Sequence, residues 1–134
     1  MSSFTTPIPS ASARRFAPAF RRLSTAFLLL AATAVPALAD ARFVTSDHVE
    51  IRYLDAGPKD AAKTLLLIPG WRFTADVFSH AIHTFAARLR VVALDPRSQG
   101  ASSKVQSGNS PERRAADVHE LLLSLRLHDV VLVG

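Results

Sequence analysis

Two stretches of this 134-residue chain hold residue types from which a reaction site could be built, and both follow apolar runs. The first is Leu65-Leu66-Leu67-Ile68-Pro69-Gly70-Trp71. A glycine at such a strand end lets the backbone pass close to a ligand and take dihedrals closed to other residues. The N–H of Trp71 is then available to donate to a developing oxyanion, the charge that acyl transfer must stabilise. The same residues also suit a plain strand-to-loop turn with Trp71 packed on a sheet. The second stretch is Asp95-Pro96-Arg97-Ser98-Gln99-Gly100-Ala101-Ser102. It gathers a carboxylate, a guanidinium and hydroxyls in one loop. No sharp strand-to-helix elbow surrounds Ser98, Ser102 or Ser103, so these serines are not read as nucleophiles.

Other groups that could do chemistry have plainer readings. His80 and His83 are three apart and share a helix face, but no carboxylate or cysteine pattern completes a ligand set, so a solvated face is expected and no metal. The chain has no cysteine, which excludes disulfides, thiolate metal sites and a Cys nucleophile within it. Phe43, Phe73, Phe78 and Phe85 read as core or pocket wall rather than as a stacking platform for nucleic acid. No cofactor is expected.

The elements that must position these loops follow from periodicity. Between residues 48 and 55, Val49, Ile51 and Tyr53 alternate with His48, Glu50 and Arg52, which predicts a half-buried strand. Residues 42–45 predict a shorter strand paired before it, and residues 56–60 a turn. The runs 65–68, 91–94 and 130–133 are continuously apolar and predict strands covered on both faces, as in a parallel sheet. A helix is predicted over 75–89, with Thr74 as N-cap and Phe78, Ile82, Phe85 and Leu89 as its apolar stripe. A second begins with Ser110 as N-cap, Pro111 at the first position and Glu112 near the positive end of the dipole. Ala115, Val118, Leu122 and Leu125 are its predicted buried stripe, and Arg113 with Asp117 an exposed i,i+4 pair. Residues 100–110 are a polar loop. The fold class is α/β: a mostly parallel sheet with flanking helices, joined by right-handed crossovers.

Taken with these elements, the motifs resemble the α/β-hydrolase family. Many members carry H-G-x after the third strand and D-x-R-G-x-G-x-S after the fourth. Asp95, Arg97, Gly100 and Ser102 match the latter, while Ser98 stands where the first glycine would be and Pro69 where the usual His precedes Gly70. Ser98 is therefore expected to accept a backbone angle that glycine takes freely. Residues 127–134 are similar to the family's fifth strand, which leads into the Gly-x-Ser-x-Gly nucleophile elbow, and Gly134 matches its first glycine. The resemblance spans about 48–134. It implies the N-terminal portion of a hydrolase fold, serine-type acyl transfer on a small ester-like substrate, Trp71 as an oxyanion-hole N–H, and Pro69, Gly70, Asp95, Arg97, Gly100 and Ser102 shaping the site. In the family's chain order nucleophile, acid and base come after this point, so the 134 residues alone are expected to be inactive.

The charge is uneven. The chain carries +5, yet four basic residues (Arg14, Arg15, Arg21, Arg22) and no acidic one lie before residue 40. The rest holds twelve basic against eleven acidic residues, so the basic pI argues for no nucleic-acid partner. Arg21-Arg22, the apolar residues 27–34 and Ala37-Leu38-Ala39 read as a secretory signal over 1–39, cut after Ala39. Residues 40–134 would then be an incomplete hydrolase domain, exported to a periplasm or medium, touching a membrane only through its signal. The uncharged run 23–39 contains Pro36 and is short against the roughly 20 residues of a spanning helix.

Two other functions compete. A dinucleotide-binding oxidoreductase shares the strand-helix-strand pattern, and Asp95 ends a strand where a ribose-binding acid could sit. However, Trp71-Arg72-Phe73-Thr74-Ala75 supplies none of the glycines that bring backbone against a pyrophosphate. A non-functional truncated product would instead leave its last strand with an open edge.

Overall fold

The computed structural model describes residues 37–134, so the predicted signal up to residue 36 lies outside the described residues. Five strands form one sheet in the order β1-β2-β4-β3-β5. They are β1 (Ala39–Val44), β2 (Glu50–Ala56), β3 (Thr64–Leu67), β4 (Arg90–Leu94) and β5 (Val130–Val133). β3 lies parallel to both β4 and β5, while β2 runs antiparallel to β1 and β4. All but β2 therefore point the same way, and the loops after β3 and β4 and the carboxyl end of β5 lie on one rim of the sheet.

Strand parity splits the core in two. Leu67, Val91 and Ala93 face α1 (Ser79–Phe85) and pack with its Ile82 and with Ala86. Leu66, Val92 and Leu94 face α2 (Pro111–Ser124) and pack with its Leu121. Each strand side chain alternates between two helix-covered faces, which explains the uninterrupted apolar runs of β3 and β4. β5 has the same composition, yet Val131, Leu132 and Val133 stay exposed among the described residues. β2 is buried on both faces instead of one, because Arg52 and Asp55 are enclosed in ion pairs.

Both helices depart from the sequence reading. The first opens as a 3-10 turn, Ala75–Phe78, before α1, and α1 ends at Phe85 rather than at residue 89. Thr74 sits at the N-cap position, but its hydroxyl donates to Asp76 and caps no backbone N–H. The inward positions are Ile82, Ala86 and the half-buried Leu89, which leaves Phe85 exposed, off the stripe assigned to it. In α2, Ser110 accepts from the Arg113 N–H and Pro111 opens the first turn, as predicted. Its inward phase differs. Asp117 and Leu121 are the buried residues, Ala115 is exposed, and Val118, Leu122 and Leu125 are half-buried. Among the described residues no helix is long and apolar enough to cross a membrane.

The corrected phase gives a direct contrast. Leu121 is 0% and Leu123 64% exposed. Leu121→Ala is expected to destabilise by about 2–5 kcal/mol, and Leu123→Ala by no more than about 0.5 kcal/mol. Denaturant melts of both variants check it; equal losses would mean α2 faces the sheet differently.

Candidate active site

The rim where the parallel strands end brings together most of the residues singled out from the sequence. Ile68 donates its N–H to the Val133 carbonyl at 2.8 Å, and a Cβ on Gly134 would lie 3.7 Å from the Ile68 carbonyl oxygen. The end of β5 thus adjoins the start of the Pro69-Gly70-Trp71 loop. Pro69 is buried and Gly70 exposed. Gly70 takes no positive φ; the left-handed residue in this loop is Arg72, at φ +70°. Trp71 does not pack on the sheet. Its ring is 69% exposed, with the Arg114 guanidinium carbon 5.0 Å from the ring centroid. Such a cation–π contact contributes about 0.5–1 kcal/mol at an exposed position. The Trp71 N–H donates to no acceptor among the described residues.

Asp95 ties the two loops. It is 0% exposed, and its carboxylate accepts from the N–H of Ala75 (2.6 Å), the N–H of Ala101 (2.8 Å) and Nη1 of Arg52 (3.3 Å). Gly100 is required beside it. Its φ is +49°, and a Cβ there would stand 2.0 Å from Asp95 Oδ2. Ser102 is equally committed: its hydroxyl donates to the Asp95 carbonyl at 2.6 Å and accepts from the Arg52 N–H at 2.9 Å. A buried hydroxyl so engaged is a brace, not a nucleophile. Ser98 holds φ +64°, the angle expected of a residue in glycine's place, and its hydroxyl both donates to and accepts from the Val105 backbone. Backbone strain at a non-glycine residue costs on the order of 1–3 kcal/mol, so such bracing is needed to keep it.

Arg97 is buried and grips Asp117 through Nε and Nη2, both at 2.6 Å, and Asp47 at 3.0 and 3.1 Å. It locks the loop after β4 to α2 and to the turn between β1 and β2. Asp117 was expected on an exposed face; it is turned inward because Arg97, itself without access to water, needs a fully enclosed carboxylate. Arg113 completes the pair from outside at 2.9 Å. Sequence reasoning also missed Arg52, Gln99 and Arg114. Arg52 sits on a strand face read as solvated, and it joins Asp40, Asp76 and Asp95. For Gln99 the one available signal is a long amide enclosed by small residues.

A cleft of about 220 Å³ opens between the loops after β3 and β4 and the start of α2, lined by Ile68, Pro69, Leu94, Pro96, Arg114, Asp117 and Val118. Its wall is apolar apart from Arg114 and the already paired Asp117. His80 and His83 lie exposed on α1, away from this rim, and no group of three His, Cys, Asp or Glu could hold a metal among the described residues.

Comparison with known proteins fits this rim. No family model matches the chain. The chain is 35% identical over 91 residues to the non-heme chloroperoxidase of Burkholderia pyrrocinia, covering 67% of this chain and 32% of that one. It is 34% identical over 91 residues to the bifunctional esterase/perhydrolase of Acinetobacter calcoaceticus, covering 67% and 33%. The bromoperoxidase of Bacillus anthracis superposes with a TM-score of 0.61 at 31% identity, over 74% of this chain and 34% of that one. The described residues form the N-terminal portion of an α/β-hydrolase fold. The chain spans about a third of the length of the curated relatives it matches. Within the α/β-hydrolase fold, the loops carrying Trp71 and Asp95 lie on the carboxyl rim of the sheet, where open α/β sheets bind their ligands.

The ion pairs set an acid limit. Hydrogen bonds from Arg97, then from Thr45, hold Asp47 far below the usual carboxylate value of 3.8. Hydrogen bonds from Arg52 lower Asp40 and Asp76 in the same way. A depressed folded-state pKa stabilises the fold above the unfolded value and loses that contribution as pH falls through the folded one. Thermal melts are expected to hold level from about pH 7 to 5 and then drop below about pH 4. A midpoint unchanged down to about pH 2 would show that these pairs contribute nothing.

Proposed function

We propose that this chain supplies the first part of the catalytic domain of an exported α/β hydrolase that works by serine-type acyl transfer on a small ester-like substrate. The observation that supports the reading is the adjacency of Ile68, which leads into the Trp71 loop, to Gly134, the residue matched to the first glycine of the family's elbow. In this mechanism a serine past the β5 strand attacks the carbonyl carbon, and a histidine held by a carboxylate takes its proton. The carbonyl oxygen becomes an oxyanion, received by the Trp71 N–H and by the N–H of the residue after the serine. The ester oxygen leaves with the proton from the histidine. Water then takes the acyl group; hydrogen peroxide in its place would give a peracid, which the esterase/perhydrolase relative makes a natural second acceptor to try.

Pro69, Gly70, Asp95, Arg97, Gly100 and Ser102 shape and hold this site without touching the reacting atoms. The 134 residues contain no Gly-x-Ser-x-Gly, so nucleophile, acid and base have to come from elsewhere. The purified chain is expected to show no turnover of p-nitrophenyl acetate above a heat-killed control. A chimera continuing from Gly134 into the matching part of the Acinetobacter relative is expected to regain it. Trp71→Pro in that chimera, which deletes the N–H, is expected to lower kcat by about 100–1,000-fold. Turnover by the unextended chain, or an unaffected Pro variant, would overturn the assignment.

Export rests on Arg21-Arg22, the apolar residues 27–34 and Ala37-Leu38-Ala39. Intact mass measured on protein recovered from the periplasm or medium of an expressing bacterium is expected to match a chain starting at Asp40. Recovery only from the cytosol at full length would count against it.

A further inference from the structure

We propose that Gln99 is the positioning residue of the Trp71 loop, holding its central peptide in one of two flipped states and so fixing the turn that carries the Trp71 N–H; this rests on the oxyanion reading of Trp71. The loop is a β-turn. The Phe73 N–H donates to the Gly70 carbonyl at 3.1 Å, making Trp71 and Arg72 the two central residues. Gly70 C=O and Trp71 N–H belong to one planar trans peptide, so a carbonyl aimed at Phe73 turns the Trp71 N–H away from the turn.

The central peptide is that between Trp71 and Arg72. A positive φ at Arg72 (+70°) and none at Trp71 defines a type II turn. That position favours glycine; an arginine favours type I, reached by rotating the central peptide through about 180°. The observed state therefore needs an outside contact, and Gln99 makes it. Its Oε1 accepts the Arg72 N–H at 2.9 Å, and its Nε2 donates to the Phe73 carbonyl at 3.2 Å. The flip would carry the Arg72 N–H off Gln99 and bring the Trp71 carbonyl, a negative dipole end, toward the amide oxygen. Gln99 is itself fixed. It is 7% exposed, its N–H donates to the Pro96 carbonyl at 2.9 Å, and its carbonyl accepts from the Ser102 N–H at 3.1 Å. One side chain of the loop after β4 thus selects the geometry of the loop after β3.

Hydrogen exchange on the full chain tests this without any catalytic readout, so its outcome is separate from that of the ester assay. In the wild type the Arg72 amide is expected to exchange at least about tenfold more slowly than the Trp71 amide, relative to intrinsic rates. Gln99→Met removes both hydrogen bonds at nearly constant volume. It is expected to abolish Arg72 protection and to shift the emission and anisotropy of Trp71, the single tryptophan, while cooperative melting persists. Adding Arg72→Gly, which makes the type II turn intrinsically favourable, is expected to restore the Trp71 signal. A wild-type Arg72 amide as labile as that of Trp71 would overturn the proposal even if the Met variant failed to fold. So would a folded Met variant with wild-type exchange and anisotropy, or a double variant that fails to recover the Trp71 signal.

Discussion

The rim of this sheet depends on one buried carboxylate. Asp95 is enclosed at the end of the central strand, and an enclosed anion must be met by donors or give up its charge. It takes backbone N–H groups from both flanking loops, Ala75 on one side and Ala101 on the other, and a guanidinium nitrogen from Arg52. The need to satisfy this single group brings the loop after β3 and the loop after β4 into register with each other. Gly100 is the steric corollary, since any side chain there would collide with the carboxylate. Ser102 and Arg52 form the next layer, each bonded to the other and to Asp95.

A second enclosed charge, Arg97, does for α2 what Asp95 does for the loops. Its two carboxylates come from a helix and from a turn far apart in sequence, Asp117 and Asp47. Removing one partner from such a group is more damaging than the pair is stabilising, because the remaining charge cannot recover water. Two of the five positive-φ non-glycine residues among the described ones, Arg72 and Ser98, lie within the loops that Asp95 and Arg97 anchor. The polar network therefore holds backbone shapes that local preference alone would lose.

Much of the fold was legible because two-sided burial writes itself as unbroken apolar runs. The runs at 65–68 and 91–94 and the Ser110-Pro111 start of α2 needed only local physics. The errors all arose from tertiary demand. Arg52 and Asp117 looked solvated because charge normally is; their partners, Asp95 and Arg97, lie 43 and 20 residues away. Phe85 was placed on the inward stripe, but the sheet meets Ala86 instead. The rim motifs announced a loop between strands but not which peptide faces outward, since that is set by Gln99 reaching across from the neighbouring loop.

The sheet order has a consequence for how the chain assembles. β1 and β2 are sequence neighbours and pair across a short turn, whereas β3 waits for β5, whose Val130 aligns with Thr64. Pairing over so long a separation is slow, because loop closure is costly before any contact repays it. During synthesis this edge of β3 consequently stands open until β5 emerges. In that interval an unpaired strand edge is available to wrong partners.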